Sequence, residues 1–223
     1  MTPATLSHPL APAPAGSAGV RLAVAAALAA WFAAVAWLGA AHAFDGRPGT
    51  PPLGLVAGAL LPLVVFFVAL LASRALRDWV LALDPRVTTV VQAWRFGGFA
   101  FLVLYANGVL PAAFALPAGL GDMAIGAAAP WILVRLLRSP DFAASRAYVA
   151  WHLLGILDLV TALGAGGLGA MLATGAAGEI TTAPMAHLPL VLVPAWGVPI
   201  YLMLHAAALM QARRLAARAG RGG

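Results

Sequence analysis

Arg95, Asp122 and Asp158 are charged residues set inside long runs of apolar ones. Charge placed there is costly, and it marks ion pairing, proton relays or ligand sites. A guanidinium can neutralise one carboxylate, whereas a carboxylate left alone takes up a proton or holds a cation. Gln92, Asn107, His152, His187 and His205 punctuate the same or adjoining apolar runs and could extend such a relay. Neutral imidazoles pass protons by exchanging donor and acceptor nitrogens. Two of them, His152 and His205, could instead ligate one b-type haem axially. The chain has no cysteine, which removes thiolate metal sites and cysteine nucleophiles.

The elements that must position these groups are membrane spans. Hydrophobic residues make up 63% of the 223-residue chain and charged ones only 9%, far from the balance of a soluble domain. About 20 apolar residues cross a bilayer as a helix. Six stretches meet that length: 22–41, 53–73, 88–110, 113–137, 147–172 and 188–212. They lack the alternation of barrel strands, so the expected fold is all-α, a single six-helix polytopic bundle. Residues 1–20 are rich in Pro, Ala, Gly and Ser and read as a disordered cytoplasmic tail. Residues 21–212 form the transmembrane domain, and 213–223 a basic cytoplasmic tail. Arg21 followed by an apolar run and Ala41-His42-Ala43 also resembles a cleavable signal sequence. The run exceeds the usual signal core, so 22–41 is read as a retained first helix.

All thirteen basic residues are arginine, and the spans sort them. Arg21, Arg74, Arg77, Arg86, Arg135, Arg138, Arg146, Arg213, Arg214, Arg218 and Arg221 fall on one side, with Arg47 alone on the other. The positive-inside rule then puts both termini in the cytoplasm of a bacterial-type inner membrane. A pI near 11.3 accordingly points to anionic lipid headgroups as partners, not to nucleic acid.

With this topology, the polar groups acquire depths. Gln92, Arg95, His152 and His205 fall in the inner third, Asp158 near the midplane, and Asn107, Asp122 and His187 in the outer third. On a regular helix Gln92, Arg95 and Asn107 share one face. Arg95 is expected to pair with Asp158. Asp122 is then left without a cation at its depth, with His187 and Asn107 beside it at an outer mouth. His152, His205 and Gln92 line the inner exit. Small residues flank both aspartates (Ala118, Gly119, Gly126 and Ala129; Gly155, Ala162, Ala165 and Gly169) and mark close helix contacts. The prolines 189, 194 and 199 predict a kinked or partly unwound sixth span. These features point to proton-coupled solute transport or ligand binding. A single copy supplies few helices, which favours a homo-oligomer.

Two short motifs stand beside this reading. Residues 164–169, Gly-Ala-Gly-Gly-Leu-Gly, match G-x-G-x-x-G but follow no strand, so no dinucleotide site is expected. Gly119-Leu120-Gly121-Asp122 resembles the GxGD motif of intramembrane aspartyl proteases of the presenilin and prepilin-peptidase type. That resemblance implies two aspartates, here Asp122 and Asp158, sharing a proton to activate water. It covers four residues, the second aspartate follows where the family's precedes, and no Pro-Ala-Leu tripeptide is present. A structural or assembly subunit is the remaining reading.

Overall fold

The computed structural model describes residues 17–219. Among these residues the secondary structure is helical throughout, without strands. Helices α1 (Ser17–Ala40) and α2 (Leu53–Ala72) match the first two apolar stretches. The expected tail 1–20 lies mostly outside the described residues, as do its His8 and the last part of 213–223.

Ser73 ends α2 and starts the short helix α3 (Arg74–Leu81), where its hydroxyl accepts from the Leu76 amide at 3.2 Å. A serine N-cap fits because its oxygen satisfies one of the orphan first-turn donors. Asp84 caps α4 (Pro85–Gln92) in the same way, accepting from the Arg86 amide at 2.8 Å, with Pro85 at the first helical position.

The third apolar stretch is not one regular helix. After α4 the chain tightens into a 3-10 segment, Ala93–Gly98, and then resumes as α5 (Phe99–Ala106). Helix α6 (Ala112–Arg138) is the centre of the molecule, packing on α4, the 3-10 segment, α5 and α7 (Arg146–Leu172). Ser145 caps α7 through the Tyr148 amide at 3.2 Å. The proline-rich sixth stretch is irregular at its start: a π-type turn at Val193–Gly197 leads into α8 (Val198–Ala219). Prolines 189 and 194 supply no backbone donor there, so a regular ladder cannot form through them.

Six of these helical segments are long and apolar enough to cross a membrane: Ala18–Ala40, Leu53–Ala72, Pro85–Ala106, Ala112–Arg138, Arg146–Leu172 and Val193–Arg218. Large apolar side chains stay exposed on them, including Leu71, Trp94, Leu137 and Leu157. Helix α1 is held at the π-type turn. Trp196 stacks on Phe32 and Trp31, with ring centroids 5.3 and 6.3 Å away, and its indole N–H donates to the Leu28 carbonyl at 3.4 Å.

Candidate functional site

Arg95 sits on the 3-10 segment and is 2% exposed. Its guanidinium reaches three helices. Nε donates to Asp122 Oδ1 of α6 at 2.7 Å, and Nη2 donates to Asp158 Oδ2 of α7. Nη1 donates to the Gly155 carbonyl at 3.3 Å and meets His205 Nε2 of α8 at 3.0 Å. The ring of Tyr201, one turn before His205, lies 5.9 Å from the guanidinium carbon. One cation thus stands between two carboxylates, and each aspartate side chain keeps only about one-seventh of its surface exposed (16% and 14%).

Glycines let the backbones come this close. A Cβ on Gly121 would run into the Asp158 carboxylate, and one on Gly155 into the His205 ring, with Arg95 Nη1 3.0 Å away. At Gly119 a Cβ would sit 3.0 Å from the Gly98 carbonyl, so this glycine seats the 3-10 segment against α6. The glycines of Gly119-Leu120-Gly121-Asp122 are therefore explained by packing around Arg95.

The hydrogen-bond polarity can be read from Arg95 outward. A guanidinium only donates, so His205 accepts at Nε2 and, as a neutral ring, carries its proton on Nδ1. That proton faces His152 Nδ1 at 2.7 Å. His152 then holds its own proton on Nε2, which has no protein hydrogen-bond partner among the described residues. Both amide atoms of Gln92 and the indole nitrogen of Trp151 are likewise buried and unpartnered there. Gln92, His152 and His205 are each 0% exposed, so the imidazole pair inward of Arg95 and the Gln92 amide are sealed inside protein, while the two aspartates keep a partly exposed edge.

Several expectations need correction. Asp122 is not without a cation: it shares Arg95 with Asp158. The 3-10 segment presses Arg95 onto α6, where a Cβ on Gly126 would run into the Phe96 backbone nitrogen, and this close approach brings the guanidinium within reach of Asp122. Asn107 leaves the polar face and is exposed, its amide donating to Val103 O at 2.8 Å. Turning about 120° per residue through Ala93–Gly98 instead of about 100° shifts the helix phase by roughly 120° over that segment. His187 is not beside Asp122 either. It lies in the segment before α8, where its Nε2 is 3.0 Å from Asp45 Oδ1.

The histidine pair does not fit axial haem ligation. Metal–imidazole bonds of about 2 Å would hold two axial nitrogens about 4 Å apart with the macrocycle between them. Here the facing nitrogens share a direct hydrogen bond, and the rings stand at 79° with centroids 5.0 Å apart. The protease-like arrangement fits poorly as well, because the guanidinium donates separately to each carboxylate where a dyad would share a proton.

Sequence reasoning missed Tyr201, whose contact depends on α8 packing, and Gln211. Gln211 Nε2 lies 2.8, 3.2 and 3.4 Å from the carbonyls of Leu83, Val80 and Leu81, capping the end of α3. A separate cavity of about 440 Å³ lies between α2, α7 and the loops, lined by Asp45, Arg47, Leu55, Phe114, Met185 and His187 among others. None of the charged centre's residues line it.

No curated protein matches the chain, and no solved structure does. A family model matches residues 51–213, a stretch that holds Arg95, both aspartates, His152 and His205 and leaves α1, His42 and Asp45 outside. The chain therefore belongs to the family described as Domain of unknown function (DUF8737).

Proposed function

We propose that this is a multi-pass inner-membrane protein, both termini cytoplasmic, whose buried centre couples a proton to the binding or movement of a small solute. The arginine-rich ends on one side of the six apolar helices support the orientation, and their exposed apolar flanks support insertion in the bilayer. Anionic lipid headgroups would contact those arginines, and a dimer would give a carrier of this size more helices.

The observation that carries the reading is the charge count at Arg95: one guanidinium against two carboxylates from separate helices. With both aspartates ionised the cluster keeps one net negative charge, which a proton or a cationic group of the solute would balance. His152 Nε2, joined to Arg95 through His205, and the buried Gln92 amide are unpartnered among the described residues and offer donors and an acceptor for a ligand. A purely structural reading, an ion pair that locks helix register, is favoured by the glycine packing around the centre.

Detergent-solubilised protein in weak buffer separates the two. Acid–base titration from pH 8 to 5 with an indicator dye should show proton uptake by the wild type that Asp122→Asn and Asp158→Asn each reduce, with folding retained. In proteoliposomes under an imposed pH gradient, the wild type should change lumenal pH faster than empty vesicles. Identical titration curves for all three proteins would leave only the structural lock.

A further inference from the structure

The outer end of the molecule holds a second constellation that the charged centre does not use. His42 follows α1, Asp45 lies three residues on, and His187 comes from the segment between α7 and α8. Each offers one ligand atom, and these atoms all lie within 4.8 Å of one another. His42 Nδ1 is 3.3 Å from Asp45 Oδ2, and His187 Nε2 is 3.0 Å from Asp45 Oδ1. The two imidazoles meet edge to face with ring centroids 5.6 Å apart.

The backbone at His42 is unusual for a histidine. Helix α1 ends with the Ala43 amide donating to Leu38 O at 2.9 Å and the His42 amide donating to Gly39 O at 3.2 Å. This is the Schellman arrangement, in which the residue at His42's position is left-handed and most often glycine. His42 adopts it at φ 56, the one non-glycine with positive φ among the described residues. The turn throws its ring toward His187, a residue 145 positions away (187 − 42).

We propose that His42, Asp45 and His187 bind a first-row divalent transition-metal ion. Two imidazoles and one carboxylate suit Zn²⁺ and its neighbours, whereas Mg²⁺ and Ca²⁺ prefer all-oxygen sets. A tetrahedral ion with bonds of about 2.0–2.1 Å holds its ligand atoms about 3.3 Å apart. The two histidine–Asp45 distances already match this, and the widest pair, within 4.8 Å, closes by rotation of exposed side chains. Three protein ligands leave a coordination position open, as in sites that exchange water for substrate. Asp45 and His187 also line the 440 Å³ cavity, with Arg47 on the same wall, so the open position can serve a small anionic ligand held there. This site stands apart from Arg95 and shares no residue with the centre above. Two of its three ligands also lie outside the matched family region.

Isothermal titration of Zn²⁺ into metal-stripped, Strep-tagged full-length protein in detergent tests this. The wild type should bind about one ion per chain. His42→Ala, Asp45→Asn and His187→Ala should each weaken binding roughly tenfold or more, the scale on which perturbing a metal's ligand environment acts. His8→Ala, outside both sites, should bind as wild type. All three ligands are surface side chains, so the variants should elute as the wild type does; X-ray absorption of the Zn²⁺-loaded wild type, showing two imidazoles in the first shell, supports the site independently of any variant. No binding by the wild type, affinity unchanged in the three variants, or a shell without two imidazoles overturns the proposal and leaves the cluster a hydrogen-bonded clamp between loops. None of these outcomes bears on proton uptake at Arg95.

Discussion

Replacing Arg95 by glutamine tests the charged centre most directly. Arg95→Gln leaves the Asp122 and Asp158 carboxylates buried without a cation and removes donors from Gly155 O and His205 Nε2. Removing one partner of a buried ion pair costs about 3–5 kcal/mol. The cost has a ceiling, because each carboxyl of ordinary pKa near 3.9 can be protonated at pH 7 for about 4 kcal/mol, or about 8 kcal/mol for the two. A loss of at least about 3–5 kcal/mol and no more than about 8 kcal/mol is therefore expected, larger than most single substitutions cause. The triple variant Arg95→Gln, Asp122→Asn, Asp158→Asn carries no charge at the centre and keeps groups able to hydrogen-bond. It should recover most of that loss, staying within about 2 kcal/mol of wild type. Denaturant unfolding in detergent micelles, followed by fluorescence of the seven tryptophans, measures both. If Arg95→Gln is as stable as wild type, or the triple variant is no better than the single one, the charge argument fails.

Gly121→Ala should destabilise by about 1–3 kcal/mol, because its methyl group would displace the Asp158 carboxylate, whereas Gly164→Ala, with open space around it, should be silent in the same unfolding assay. Gln211→Leu should cost about 1–3 kcal/mol by stripping the donor from the carbonyls that end α3, and hydrogen exchange should accelerate at residues 80–84. Glu179 accepts from the Thr174 amide at 2.9–3.0 Å, from its hydroxyl and from the Gly175 amide, and these bonds, led by the Thr174 amide, hold its carboxyl below the usual range. A lowered folded pKa means that this contribution is present above the ordinary glutamate pKa and lost as pH falls through the folded one. Glu179→Gln should accordingly deprotect the Thr174 and Gly175 amides at pH 7, with little difference from wild type once Glu179 is protonated.

Much of the architecture is written locally. The length of each apolar run determines a helix, and serine or aspartate ahead of Arg74, Pro85 and Arg146 sets where three of the helices begin, because capping depends on neighbouring residues alone. Arg95 facing inward toward Asp158 also follows from sequence, since an unpaired cation among apolar side chains is too costly to leave. What only the tertiary structure decided is everything that turns on helix phase or on loops meeting in space. The 3-10 segment rotated Asn107 out of the polar face and drew Asp122 onto the same guanidinium, an outcome of glycine-to-backbone packing that no hydropathy pattern records. The juxtaposition of His42 and Asp45 with His187 likewise came from two loops distant in sequence, because a turn of left-handed backbone after α1 aims a side chain that spacing alone leaves without direction.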